Sequence, residues 1–131
     1  MLGIDTNVLV RLLIEDDGDQ SRRARHLVDT TVAAGELLFV SLLVLLETEW
    51  VLRSRYRIIK KDILEVFSRI LDSVELAFED EATIEEAVFH WRDSNVDFAD
   101  CLIGVRNRRL GCRPTATFDT AAVKLAGYVS V

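Results

Sequence analysis

The stretch that best predicts the fold is Met1-Leu2-Gly3-Ile4-Asp5-Thr6-Asn7, in which a short apolar run ends in a carboxylate and two small polar residues. The run predicts a strand that stops at Asp5. The apolar residues of 8–13 can line one face of a helix, which Thr6 or Asn7 would cap. Open α/β sheets bind ligands at the carboxyl ends of their strands, so Asp5 is a candidate ligand-binding residue. A carboxylate here can equally serve only as a helix cap.

Short apolar runs continue to alternate with helical patterns along the chain. Strands are predicted over 37–40, 74–77, 114–117 and 128–131, and helices over 20–34, 41–54, 60–72, 79–93, 98–110 and 118–126. An acidic loop over 15–19 precedes the first of these helices. This alternation predicts an α/β fold, a three-layer α/β/α sandwich with a parallel sheet of about five strands. Right-handed crossovers would bring the loops after the strands to one edge of the sheet.

Length and composition predict one domain over residues 1–131, since half of the residues are hydrophobic. The 16 basic and 22 acidic residues leave a net charge of −6, which argues against nucleic-acid binding by bulk charge but allows a local basic patch. Cys101 and Cys112 make no disulfide framework, and no leader-like segment is present, so a cytoplasmic protein is expected. The most hydrophobic run, 37–46, is too short to cross a membrane.

Glu47 is the first carboxylate that lacks an obvious structural partner. Its helical neighbours three and four positions away, among them Trp50, include no cation, whereas Glu49 has Arg53 four residues on. An unpaired carboxylate on an apolar face is costly unless a metal ion or a cationic group neutralises it. Glu47 is therefore a candidate site residue, with a solvated or helix-end position as the alternative.

Three further aspartates lie at predicted helix starts. Asp97 and Asp100 are three residues apart, and like charges at this spacing repel. They could instead cap a helix and occupy its first turn, where negative charge is favourable. Asp119 follows the strand over 114–117 in the same layout as Asp5, and it too could serve as a cap.

Carboxylates gathered at one edge of a parallel sheet are suited to a hard divalent ion, because Mg²⁺ and Mn²⁺ take oxygen ligands. A zinc site fits poorly. His26 and His90 are the two histidines of the chain, and their spacing to the cysteines is not typical of zinc sites.

Four segments in this order carry a resemblance to a known family. They are Leu2-Gly3-Ile4-Asp5-Thr6-Asn7, Ser41 to Glu47 with Trp50-Val51-Leu52, Asp97-Phe98-Ala99-Asp100-Cys101-Leu102-Ile103, and Thr115-Ala116-Thr117-Phe118-Asp119. With them the chain resembles a PIN domain and, more narrowly, a VapC-type toxin ribonuclease of a type II toxin-antitoxin system. The resemblance spans nearly the whole chain.

The resemblance implies a PIN fold, an RNA substrate, Mg²⁺ or Mn²⁺ as cofactor, and a cognate antitoxin. It implies an endoribonuclease that inhibits translation and growth. The catalytic and metal-binding residues carried over from the family pattern are Asp5, Glu47, Asp100 and Asp119, with Thr6, Asn7, Asp97 and Thr117 in secondary positions. Water rather than the ribose 2′-hydroxyl would be the nucleophile, so the products would carry a 5′-phosphate and a 3′-hydroxyl.

Two basic runs are candidates for RNA contact, although such runs are often solvated helix surfaces. One comprises Arg53, Arg55, Arg57, Lys60 and Lys61, and the other Arg106, Arg108, Arg109 and Arg113. The leucine- and valine-rich helices over 8–14 and 41–56 could form a homodimer face and an antitoxin groove, or they could be ordinary core.

Two other functions remain open from the residues alone. A phosphatase of the haloacid dehalogenase type also has an aspartate after its first strand, but it needs a second acid where Asn7 stands here. The other alternative is a non-catalytic RNA-binding or partner-binding module that uses its acids for a structural ion.

Overall fold

The computed structural model describes residues 1–16 and 18–131, and within them strands and helices alternate as the sequence predicts. The elements are β1 Leu2–Gly3, α1 Thr6–Leu13, α2 Asp19–Ala33, β2 Leu38–Val40, α3 Leu42–Ser54, α4 Lys60–Leu71, β3 Leu76–Phe78, α5 Glu81–Arg92, α6 Phe98–Arg109, β4 Thr115–Thr117 and β5 Tyr128–Ser130. All paired strands are parallel. The α/β class is therefore confirmed.

The first compact unit comprises Met1–Glu79 and holds a three-stranded sheet in the order β1-β2-β3. Leu38 in the central strand pairs with Leu2 on one side and Leu76 on the other. Leu38 and Val40 have no solvent exposure, as expected for a central strand covered on both faces. Strand β1 ends at Gly3 and helix α1 begins at Thr6, so Asp5 lies in the short connection between them.

The second compact unit comprises Asp80–Val131, in which α5 packs against α6 and β4 pairs with β5. Trp91 of α5 and Phe98 of α6 are both buried, with ring centroids 5.1 Å apart. Ile84 and Ala87 are fully buried on the same face of α5. Helix α6, which carries Asp100, is thus held by an apolar contact along its length.

The prediction of one sheet of about five strands was wrong for the described residues. All five strands form, but they pair as a three-stranded and a two-stranded sheet. Strand β4, with threonines at both ends, is partly exposed rather than covered on both faces. An apolar run predicts a strand but carries little information about which strand lies beside it. The prediction of a single domain over 1–131 stays a prediction.

The cap of α1 and the segment after β4 also differ from the predictions. The cap of α1 is Asp5, not Thr6 or Asn7. The segment 118–126 forms a single 3₁₀ turn, Ala122–Lys124, where a short helix was predicted. Leu125 is already extended and Gly127 has φ +92°, so the chain reverses before a longer helix can form. Within the predicted acidic loop over 15–19, Asp17 lies outside the described residues.

Cys101 is buried and Cys112 is exposed, and both are free thiols. Among the helices described, none combines the length and apolar character that a membrane span requires.

Candidate active site

Asp5 lies in the first unit, two residues beyond the end of β1. Its Oδ1 accepts a hydrogen bond of 3.0 Å from the backbone N–H of Val8, so the capping role considered from sequence is confirmed. The side chain is exposed, and its Oδ2 has no hydrogen-bond partner in the part of the chain that the structure describes. The cap therefore fixes the carboxylate and leaves one oxygen available for a ligand.

The two polar residues after Asp5 have different environments. Thr6 is 7% exposed and opens α1, whereas Asn7 is exposed to solvent. Asn7 can therefore reach a ligand in solution, while Thr6 is held within the packing of the first helical turn.

Glu47 lies on the exposed side of α3, between Leu43 and Trp50, which are 78% and 50% exposed. No cation pairs with Glu47 among residues 1–16 and 18–131, as the sequence predicts. The assumption that this carboxylate is on a buried apolar face was wrong, however, since water reaches it. The cost of burying a charge therefore cannot be the reason for a glutamate here.

The buried carboxylate of α3 is instead Glu49, which is 2% exposed. Its Oε2 accepts a hydrogen bond of 2.8 Å from Nε of Arg53. From the sequence, the spacing of four residues between Glu49 and Arg53 suggests an ordinary exposed ion pair. The burial of Glu49 could have been inferred from Leu45 and Leu52, which lie four residues before it and three after it on the same helix face and are both buried.

Asp97 and Asp100 lie in the second unit at the start of α6. Asp97 is at the N-cap position, but its side chain makes no capping hydrogen bond, contrary to the simple cap interpretation. Asp100 is in the first turn and half-buried. Its pKa is raised above the ordinary value, first by burial and then by the negative charges of Asp119 and Asp97. These three carboxylates therefore interact, and the ionised form of Asp100 is disfavoured.

Asp119 follows β4, as the sequence predicts. Its Oδ1 accepts hydrogen bonds from the backbone N–H groups of Ala121 and Ala122, at 2.8 and 3.2 Å. Its own N–H donates to Oγ1 of Thr117 at 3.0 Å. One oxygen of Asp119 is thus used in a turn, as one oxygen of Asp5 is used in a helix cap.

Tyr128 is a residue near this site that the sequence motifs do not identify. Its hydroxyl donates a 2.5 Å hydrogen bond to the carbonyl oxygen of Asp100. Burial and the nearby charge of Asp100 raise the pKa of Tyr128 to about 12, so the hydroxyl stays protonated and can donate. The ring crosses α6 at Gly104, where an added methyl group would lie only 2.5 Å from its Cε2. A glycine inside a predicted helix was the sequence signal for this close approach.

The arginines at the end of α6 are largely neutralised within the second unit. Arg108 and Arg109 both donate to Glu86 of α5, the latter at 3.1 Å, and these bonds lower the pKa of Glu86. Arg106 lies 4.0 Å from Asp80. The structure therefore gives most of this basic run a structural role.

The donor chemistry of the candidate residues suits a hard divalent cation. Asp5, Glu47, Asp100 and Asp119 offer only carboxylate oxygens, which Mg²⁺ and Mn²⁺ prefer. Burial and the negative charges of Asp119 and Asp97 raise the pKa of Asp100, so a cation beside it would favour its ionised form. Among the described residues, no three histidine, cysteine or acidic side chains are already gathered closely enough to hold an ion.

Comparison with known proteins agrees with these features. The chain is 27% identical over 128 residues to a protein named VapC ribonuclease from Aquifex aeolicus (strain VF5), and the alignment covers 98% of this chain and 93% of that protein. A family model described as PIN domain matches residues 3–128, from the end of β1 into β5. On this match over nearly its whole length, the chain belongs to the PIN domain family.

Proposed function

We propose that this chain is a divalent-metal-dependent endoribonuclease, the toxin of a toxin-antitoxin pair, which hydrolyses RNA phosphodiester bonds and thereby inhibits translation and growth. The observation that carries the proposal is the grouping of Asp97, Asp100 and Asp119 in the second unit, where burial and then the negative charges of Asp119 and Asp97 raise the pKa of Asp100. Membership of the PIN domain family and similarity to a VapC ribonuclease support it.

Asp5, Glu47, Asp100 and Asp119 are the residues proposed to hold Mg²⁺ or Mn²⁺. When bound, such an ion supplies positive charge that lowers the pKa of a water molecule and offsets charge on the scissile phosphate. The protein contributes fixed oxygens. The caps made by Asp5 and Asp119 limit the rotation of both carboxylates, so each presents its second oxygen in a defined direction.

In the proposed reaction, water attacks the phosphorus in line with the 3′ oxygen. A bond forms between the water oxygen and phosphorus, the bond between phosphorus and the 3′ oxygen breaks, and the leaving oxygen gains a proton. The products carry a 5′-phosphate and a 3′-hydroxyl. Four further residues are proposed to orient water or the carboxylates: Thr6, Asn7, Asp97 and Thr117. The hydrogen bond from the Asp119 N–H to Oγ1 of Thr117 supports this role for Thr117.

The proposed partners are a cognate antitoxin and a second copy of the chain. The exposed side of α3, with Leu43 and Trp50, supports a protein contact by this helix, because large apolar side chains exposed together are typical of interaction sites. Light scattering of the purified chain and co-purification with the product of the neighbouring gene test these two partners. A monomer that retains no partner would contradict both proposals.

The activity is tested by incubating the protein with total RNA in the presence of Mn²⁺ or of a chelator, and mapping the new RNA ends. We expect discrete 5′-phosphate ends with Mn²⁺ alone. Asp5→Asn should abolish cleavage while the protein stays folded, and Asp29→Asn, an equivalent change at an exposed position of α2, should not. Cleavage that persists in Asp5→Asn would contradict the mechanism. RNA binding without cleavage by the unaltered protein would instead support the non-catalytic module.

A further inference from the structure

The segment between α3 and α4, residues 55–61, is a concentration of positive charge in an acidic protein. It reads Arg55-Tyr56-Arg57-Ile58-Ile59-Lys60-Lys61, with four basic residues and no acidic one in a chain of net charge −6. The side chains of Arg55, Arg57 and Lys61 are exposed and have no carboxylate partner among the described residues. Their charge is therefore available to a ligand.

Several arginines elsewhere in the described part of the chain are paired with carboxylates. In the first unit, Arg22 and Arg23 lie within 3.9 Å of Asp19, and Arg25 lies 3.7 Å from Glu15. In the second unit, Glu86 and Asp80 pair with the arginines of α6. Of the two basic runs in the sequence, the one that contains the 55–61 segment carries three cations without a carboxylate partner among the described residues, at Arg55, Arg57 and Lys61.

Helix electrostatics does not account for all of these cations. Arg55 caps the carboxyl end of α3, where a positive charge is favourable. Lys61 lies in the first turn of α4, where a positive charge is unfavourable. The N-cap of this helix, Ile59, makes no side-chain hydrogen bond that would satisfy the first amides. Asp62 in the same turn already supplies one negative charge, and Lys61 together with the amides that lack a side-chain cap still favours an anion at this end of α4.

Aromatic and backbone features of the segment fit a nucleic acid better than an isolated anion. Tyr56, between the two arginines, is 38% exposed, and Ile59 is 63% exposed. Aromatic rings among cations are typical of surfaces that bind single strands, where bases stack and phosphates pair. Arg57 has φ +54°, a left-handed backbone conformation that few residues other than glycine adopt.

We infer that the 55–61 segment binds the phosphate backbone of single-stranded RNA and guides the strand toward Glu47. Arg55 follows Glu47 by eight residues of helix, a distance of about 12 Å along the axis. An RNA strand held at Glu47 reaches the segment within a few nucleotides. This inference rests on the proposed ribonuclease function, because it names the surface by which that substrate is held.

The test uses the full chain in an Asp5→Asn background, so that labelled single-stranded RNA is bound but not cut. The loop variant combines Arg55→Gln, Arg57→Asn and Lys61→Gln, because asparagine tolerates the positive φ at 57. Each lost phosphate contact should reduce the slope of log affinity against log salt by about 0.7, so the three together reduce it by about 2. When the salt concentration is raised from about 50 to 200 mM, the RNA affinity of the protein with the unaltered loop should then fall about 20-fold more than the affinity of the loop variant.

The matched control combines Arg22→Gln, Arg23→Gln and Arg25→Gln, which removes the same number of charges from α2 of the same unit. Its salt slope should stay unchanged and its affinity within about twofold, because those arginines are paired. Circular dichroism checks that both variants are folded. Equal weakening in both variants would mean that only net charge matters, and an unchanged slope in the loop variant would overturn the inference.

Two further outcomes separate this inference from the proposed function. If the unaltered protein cleaves RNA with Mn²⁺ and the loop variant cleaves and binds equally well, only the assignment of the segment fails. If the unaltered protein does not cleave RNA, the proposed function fails, while the binding experiment still tests the segment. A loop variant that binds RNA normally but no longer retains an acidic protein partner would also overturn the inference.

Discussion

Gly104→Ala is the substitution whose effect can be argued most directly from the structure. The added Cβ would lie 2.5 Å from Cε2 of Tyr128 and 3.3 Å from Cζ, whereas carbon atoms in ordinary contact are about 3.5 to 4.0 Å apart. The ring must therefore retreat by about 1 Å. Its hydroxyl, which lies 2.5 Å from the carbonyl oxygen of Asp100, would then lose a well-formed hydrogen bond.

Three terms determine the change in the free energy of unfolding. Overpacking costs about 1 to 3 kcal/mol, and a lost hydrogen bond costs about 1 kcal/mol. Alanine inside a helix gains about 1 kcal/mol over glycine. We expect Gly104→Ala to destabilise the protein by about 1 to 3 kcal/mol, measured by urea unfolding followed by circular dichroism. Spectrophotometric titration should also show the pKa of Tyr128 moving below about 12 as the ring is displaced.

The sign of the change in the free energy of unfolding shows whether packing against Tyr128 or helix propensity dominates in Gly104→Ala. If helix propensity dominates, Gly104→Ala will stabilise the protein by about 1 kcal/mol, and the expected steric conflict with Tyr128 will be refuted. A second comparison uses a Tyr128→Ala background, in which no ring opposes the new methyl group. There the same substitution should stabilise, so the two changes should be strongly non-additive.

Three other predictions concern charges and an unpaired hydroxyl. Because the pKa of Glu86 is lowered in the folded state, its carboxylate stabilises the fold at pH values above its unfolded pKa, and this stabilisation is lost as the pH falls through the folded pKa. The free energy of unfolding of Glu86→Gln should therefore depend less on pH in the acid range. Asp119→Asn should lower the pKa of Asp100, measured by carboxyl-carbon NMR, because a neighbouring negative charge is removed. Thr48→Val should stabilise the protein by about 1 kcal/mol in urea unfolding, because the buried Thr48 hydroxyl has no partner among the described residues.

Each of these predictions has an outcome that would contradict it. Glu86→Gln with an unchanged acid limb of the stability curve would mean that the pair with the α6 arginines contributes nothing. An Asp100 titration unaffected by Asp119→Asn would show that the charge of Asp119 does not contribute to the raised pKa of Asp100. A destabilised Thr48→Val protein would mean that the hydroxyl has a partner, such as water. Thr30→Val offers a control, because Thr30 is exposed and its hydroxyl bonds to the backbone of α2.

The sequence alone determined the class of fold and the positions of its elements, because helix and strand periodicity are local properties of the chain. Strand β2 was predicted from four apolar residues in succession, and α3 from Ser41, which caps it through a hydrogen bond from the backbone N–H of Val44. The acidic residues at the ends of β1 and β4 were also found by local reasoning, since a carboxylate that follows an apolar run marks the end of a strand.

Only the tertiary structure decided which charges are buried, paired or exposed. Glu47 and Glu49 are two positions apart in one helix, yet the first faces solvent and the second is buried against Arg53. The pairing of β4 with β5 and the contact of Tyr128 with Gly104 join residues far apart in sequence. These outcomes depend on packing between elements, and the free energy of a charge depends on its surroundings in three dimensions, which residue spacing along one helix cannot specify.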